Sequence, residues 1–229
     1  MCGRFTLHHH AARLAERFRI EYLAFSPEAR YNIAPGEVVG AVINVKGAYR
    51  LEGFKWGLIP RGNRDSKNPL INARIESLGQ QRVLKESFGA RRCLIPADGY
   101  YEWRGRKSPF YFRRRDHGLF AFAGIWDEAA DPTDPLVGHV RTLTIVTTEA
   151  DQLVSPIHGR MPVIIKQQKE REWLDASITD PADLKRLAEV DWSDLFERYP
   201  VSVLVNRAGS DSPEMIREAE PEMTLFGLL

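Results

Sequence analysis

The sequence predicts an α+β fold: one domain spanning residues 1–229, built on a curved antiparallel sheet or open β-barrel with peripheral helices. Three observations predict it. Short runs rich in Val, Ile, Phe and Tyr recur from Val38 to Val205, separated by Gly, Pro, Asn and Asp punctuation. Only a few helical stretches lie among them, the pattern of strands with helices set to one side. The chain has 229 residues, 43% hydrophobic and 28% charged, enough for a real core, with no repeat, low-complexity tract or linker.

Taken in order, Ala11, Leu14, Ala15 and Phe18 are spaced as one face of a helix over His8–Ile20. His8, His9 and His10 sit at its start. On a helix they diverge, so a solvated helix start is expected rather than a shared metal ion. Arg30 to Gly36 reads as a loop. Val38–Val45 and Arg50–Trp56 flank Lys46-Gly47 as a hairpin. Arg61–Asn68 is a polar loop, and Ile71–Ser77 is extended. Gln80–Phe88 is helical. Strands are expected at Cys93–Ile95, Tyr100–Trp103, Pro109–Arg113, Leu119–Ile125 and Thr142–Thr147, with Asp127–Gly138 a loop. Asp151–Val154 begins a short helical piece, Met161–Ile165 is a strand, Lys169–Leu174 and Pro181–Val190 are helices, and Tyr199–Val205 is the last strand.

Composition narrows the function. No stretch approaches the roughly 20 apolar residues of a membrane span, and residues 1–30 carry no secretory h-region, so the expected compartment is the cytoplasm. Cys2 and Cys93 are the only cysteines; a structural disulfide is not expected in a reducing compartment, and two cysteines make no zinc framework. Neither a metal nor a cofactor is called for. The net charge of +1 hides an asymmetry. Residues 50–115 hold 16 Lys/Arg against 6 Asp/Glu, whereas residues 170–229 hold 6 against 14. Arginine outnumbers lysine 24 to 8 and suits planar contact with phosphate, so the basic middle is either a polyanion-binding face or charge scattered over a surface.

The chemistry-bearing residues begin at Cys2. Its small side chain favours removal of Met1, which would leave one residue with a free α-amine and a thiol. Their reference pKa values are about 7.7–8.0 and 8.5, so both are partly deprotonated near neutrality. Such an aminothiol condenses with an aldehyde to an imine and then closes a thiazolidine ring. In Ile71-Asn72-Ala73-Arg74-Ile75-Glu76-Ser77 the period of two sets Asn72, Arg74 and Glu76 on one face, an amide and a guanidinium able to orient a sugar and a phosphate. In Asp98-Gly99-Tyr100-Tyr101-Glu102-Trp103 the same period pairs Tyr100 with Glu102 and Tyr101 with Trp103; a carboxylate beside an apolar ring is a candidate proton-transfer group. Ile157-His158-Gly159-Arg160 places a histidine, the usual proton shuttle near neutrality, two residues before an arginine. Each has an ordinary alternative: a turn for Asn72, an ion pair for Glu102, a structural hydrogen bond for His158, and core packing for Trp56, Trp103 and Trp126.

Together these tracts resemble one family, the SOS-response-associated peptidase (SRAP) family. The matching residues are Met1-Cys2-Gly3-Arg4-Phe5, Arg30 to Gly36, Phe54 to Pro60, Ile71 to Ser77, Arg92 to Trp103, Phe122 to Trp126, Thr144 to Asp151 and Ile157 to Ile165, in the family order over essentially the whole chain. The resemblance implies an SRAP-like domain in which mature Cys2 forms a thiazolidine with the ring-opened aldehyde of an abasic site in single-stranded DNA. Asn72 and Arg74 would flank the cross-link, Glu102 would act as acid and base beside the α-amine, and His158 would assist ring opening. Arg4 and Arg160 would be phosphate or structural partners, with Trp103 among the DNA-side contacts. The implied protein works as a monomer without a cofactor, in the cytoplasm and on the nucleoid when bound to DNA.

Two departures stand out. Many members carry a tryptophan wedge between Pro60 and Ile71; here that loop has no aromatic residue, and Arg61 or Arg64 are the candidate substitutes by phosphate contact or stacking. The usual Asn before Asp211-Ser212-Pro213-Glu214 is Ser210. Two further readings stay open: a thiol peptidase using Cys2, Glu102 and His158, and a non-covalent single-strand binder using the basic strands.

Overall fold

The computed structural model describes residues 2–61, 68–130, 138–189 and 191–219. Strand β1 (Arg4–Leu7) leads into helix α1 (Ala11–Phe18), which buries Leu14 and Phe18. The helix starts later than its apolar spacing predicts because His10 is the N-cap, its ring accepting the Arg13 amide at 3.4 Å. Strands β2 (Tyr22–Leu23) and β3 (Arg30–Ile33) follow. The expected loop at Arg30 is thus half strand: Asn32 and Ile33 are buried as β3 pairs with β1, Phe5 opposite Ile33. Strands β4 (Val38–Val45) and β5 (Ala48–Trp56) form the predicted hairpin. Lys46 and Gly47 both take positive φ, 54° and 92°, the two-residue turn whose twist matches paired strands.

Strand β6 (Asn72–Arg74) is short, and helix α2 (Ile75–Leu78) begins where an extended segment was expected. Helix α3 (Arg82–Ala90) precedes β7 (Arg92–Ala97), β8 (Gly99–Arg104), β9 (Ser108–Arg114), β10 (Phe120–Ala130) and β11 (His139–Glu149). Residues 152–157 are turns, not a helix; the Asp151 carboxylate accepts the Leu153 and Val154 amides at 2.9 Å each. Then come β12 (Arg160–Pro162), α4 (Glu170–Leu174), α5 (Pro181–Ala188) and β13 (Phe196–Pro200). The last strand therefore ends at Pro200, and Val203–Asn206 is a 3-10 turn.

Two sheets organise these elements. One runs β13-β9-β8-β1-β3, the other β12-β11-β10-β7-β4-β5-β2. In the second, β5 also pairs in parallel with β11, Trp56 opposite Leu143, so β11-β10-β7-β4-β5 return on themselves as a closed barrel. Closure carries the expected curved sheet further and removes two sheet edges. Phe5 on β1 packs against Trp56 and Phe122 of the barrel, ring centroids 5.4 and 5.7 Å away. Cys2 and the residues of β1 are thereby pressed between the sheets.

Candidate active site at the junction of the two sheets

Strand β1 lies antiparallel to β8 with Arg4 opposite Tyr101, and Cys2, just ahead of β1, comes near enough to Glu102 for the carboxylate to act on its thiol. Alternation along β8 points Tyr100 and Glu102 into the main core and Tyr101 and Trp103 to the far side. Cys2 is fully buried and Glu102 is 2% exposed. The barrel sheet supplies Asn72: its Nδ2 donates to the Cys2 carbonyl at 2.9 Å. Strand β6 is positioned by β11, Asn72 opposite Ile145 and Arg74 opposite Thr147. Ala73 is buried between them while Arg74 is exposed. Asn72 Oδ1 is buried with no hydrogen-bond partner among the described residues, an acceptor awaiting a donor.

Electrostatics sharpen the picture. Burial, reinforced by the Glu102 carboxylate, pushes the Cys2 thiol well above its usual range. Burial also raises Glu102, against the opposing charge of His158, and raises the Tyr100 phenol, with Glu102 and Cys2 adding to the effect. The resting site therefore holds a protonated thiol and a carboxyl group inclined to keep its proton.

His158 precedes β12, which pairs with the far edge of β11, Arg160 opposite Glu149. His158 Nδ1 lies between the Arg160 amide and the Arg160 carbonyl, at 3.0 and 3.1 Å, which fixes the ring's orientation. The Arg160 guanidinium is committed elsewhere: it forks onto Glu76 at 2.7 and 2.9 Å and reaches the Thr147 carbonyl at 2.8 Å. Glu76 is thus in the first turn of α2 rather than on the face of Asn72 and Arg74, and its partner Arg160 acts as a fastener between α2, β11 and β12. Sequence spacing offered no signal for this pairing.

The SOS response associated peptidase (SRAP) family model matches residues 1–208. The chain belongs to this family. Two relatives extend over nearly its whole length. It is 39% identical over 227 residues to the abasic site processing protein YoqW of Bacillus subtilis, covering 94% of this chain and 99% of that one. It is 32% identical over 231 residues to the abasic site processing protein YedK of Escherichia coli, covering 95% and 99%. A crystal structure of a Bacteroides thetaiotaomicron protein superimposes with a TM-score of 0.83 at 23% identity, over 96% of this chain and 100% of that one, a likeness of fold.

In this SRAP chain the other sequence candidates separate from the centre. Arg4 is bound to Asn32 Oδ1 and the Val205 carbonyl at 3.0 and 2.9 Å, so it ties the C-terminal segment down. Trp103 lies on the opposite face of β8 from Glu102 and donates its Nε1 hydrogen to Asn206, because strand alternation turns it away. Arg61 is exposed but leans on the buried Asp127, whose carboxylate accepts its amide at 2.9 Å. Arg64 lies outside the described residues. The Ser210 carbonyl accepts from Asn32 at 2.8 Å, a strap that needs no particular side chain. The basic tract is also thinner than its count. Arg92 is buried and spends its guanidinium on four carbonyls, those of Phe88, Gly89, Trp173 and Asp175, and burial lowers its pKa to about 10. Arg91, Arg113 and Arg114 are ion-paired. Lys55, Arg74, Arg104, Arg106 and Lys107 stay exposed, and no ion pair holds them among the described residues.

Proposed function

We propose that this protein processes abasic sites in single-stranded DNA by forming a thiazolidine cross-link through Cys2. The observation that carries the reading is the Cys2 environment: a carbonyl held by Asn72, a thiol buried and kept protonated, and a protonatable Glu102 beside it. After removal of Met1, the α-amine adds to the sugar aldehyde, forming a C–N bond and a carbinolamine. Glu102 gives its proton to the departing hydroxyl, water leaves, and an iminium remains. The thiol then adds to that carbon, forming the C–S bond and returning its proton to Glu102. Aldehyde and aminothiol become thiazolidine and water.

Asn72 Oδ1, buried and unsatisfied, is suited to accept from the attacking nitrogen. His158, in its protonated form, is suited to give a proton to the sugar ring oxygen during opening. Arg74 and the exposed lysines and arginines of β5 and β8–β9 supply phosphate contacts, without a cofactor. That YoqW and YedK are abasic site processing proteins supports the substrate class. A cysteine peptidase would need a thiolate, favoured by a depressed pKa, and the Cys2 environment drives the thiol the other way. Intact-mass spectrometry of the protein with a single-stranded abasic oligonucleotide tests the reading. A heat-stable adduct at the sum of the two masses less one water is expected; binding without an adduct, or cleavage of a peptide substrate in its place, overturns it.

A further inference from the structure

His8 and His9 were expected to diverge on a helix, but α1 begins only at Ala11. At the bend before it, the two rings stack, centroids 5.1 Å apart and planes 29° from parallel. Tyr31 covers the outer side of His8 at 5.2 Å. Both Nδ1 atoms lie 3.0 Å from the same oxygen, Oδ2 of Asp98, in the corner between β7 and β8. The three donor atoms fall within 4.8 Å of one another; each nitrogen–oxygen pair already matches the roughly 3.3 Å separation that ligand bonds of about 2.0–2.2 Å impose around a tetrahedral zinc ion, and ring rotation would close the rest.

Hydrogen bonding alone does not account for this arrangement. Asp98 Oδ2 already accepts the His8 backbone amide at 2.6 Å. His9 Nδ1 is within hydrogen-bond distance of the same oxygen at 3.0 Å, whereas the buried His8 ring nitrogen, equally close, makes no well-aligned hydrogen bond among the described residues. Asp98 is meanwhile oriented from behind: Thr6 donates to Oδ1 at 2.5 Å, and Thr6 is within 2.8 Å of the Tyr111 hydroxyl. Fixing a ligating carboxylate in this way is what the outer partners of a metal site do. The carboxylate is 2% exposed, but the rings are 30% and 27% exposed, which leaves an entry path and room for a water as fourth ligand.

We propose that His8, His9 and Asp98 form a binding site for a divalent transition-metal ion, zinc first, that pins the exit of β1 to the β7–β8 corner. The site is separate from the DNA chemistry and serves the fold.

The test uses the full, tag-free chain stripped with chelator. One equivalent of Co²⁺ is expected to bind with visible absorption. Zn²⁺ at 100 times its Kd is expected to raise Tm by about 5–10 °C. His8→Gln and His9→Gln are each expected to abolish both signals, and Asp98→Asn to do so wherever it folds. No cobalt absorption and no Tm rise at millimolar metal overturn the proposal. So does a zinc shift that survives both histidine variants, or a cobalt spectrum with thiolate charge-transfer bands, which would put the ion on a cysteine.

Discussion

Cys2 sits where a single atom decides the outcome. In Cys2→Ala the α-amine survives trimming of Met1 but the ring cannot close. The expected result is loss of the heat-stable adduct, with a species recoverable only after borohydride reduction and some strand nicking by β-elimination; denaturing gels with and without reductant check it. Glu102→Gln removes the proton carrier and should slow adduct formation by roughly 10²–10⁴-fold. The same variant has an opposite effect on stability. Because the folded state raises the Glu102 pKa, its contribution to stability is fully present below about pH 4 and is lost as pH rises through the folded pKa. Gln mimics the protonated form, so the variant's Tm should match or exceed wild type at pH 8, and a lower Tm there would contradict the assignment. The alternation of β8 made Glu102 and its face readable from sequence. The hydrogen bond from Asn72 to Cys2, across 70 positions, had no local signature. Trp103 lies on the face turned away from Glu102, and sequence could not say which face meets the site, because alternation tells only which residues share a face.

At the scale of elements, β8 lies hard against β9 at Gly99. A Cβ at Gly99 would overlap the Tyr111 hydroxyl, the group that backs Thr6 and Asp98. Gly99→Ala should cost about 1–3 kcal/mol through overpacking, a Tm loss of roughly 2–10 °C for a chain of this size, read by thermal unfolding. Strands with strong alternation or continuous burial, β4, β5 and β7, were legible within a few residues, whereas β10 runs on to Ala130, past Asp127 where a loop was expected. Those made by tertiary pairing were not. β3 has a loop-like composition and exists because β1 needs an edge partner; the segment after Pro200 looks strand-like but caps a small cluster with Tyr101, Tyr111 and Val205.

At the scale of the molecule, sequence gave the sign of the charge asymmetry but not its availability. Local composition cannot tell that Arg92 is internal or that Arg160 is clasped to Glu76, since both partnerships depend on packing between distant segments. Arg74 is exposed at the rim of the candidate site. Arg74→Glu should weaken binding to single strands and flatten the dependence of log K on log salt by about 0.7 per lost phosphate contact. An unchanged slope in filter binding at several salt concentrations would put Arg74 off the DNA path. The closed barrel was half-legible: the strands were expected, but the parallel seam joins β5 to β11 across 87 positions, and such long-range closure leaves no periodic trace.

The burial of Cys2 also sets a schedule. An aminopeptidase must reach Met1, yet β1 is walled in once it pairs with β8, whose partner residues Gly99, Tyr100 and Tyr101 are translated long after the chain start. At about 5–20 residues per second, synthesis alone holds that pairing off for roughly 5–20 s. On the proposed chemistry, trimming is expected to precede this pairing, and pulse-labelled intact masses check it: loss of Met1 within the synthesis interval is expected, and a Met1-bearing fraction that aminopeptidase still trims from the folded chain would overturn it.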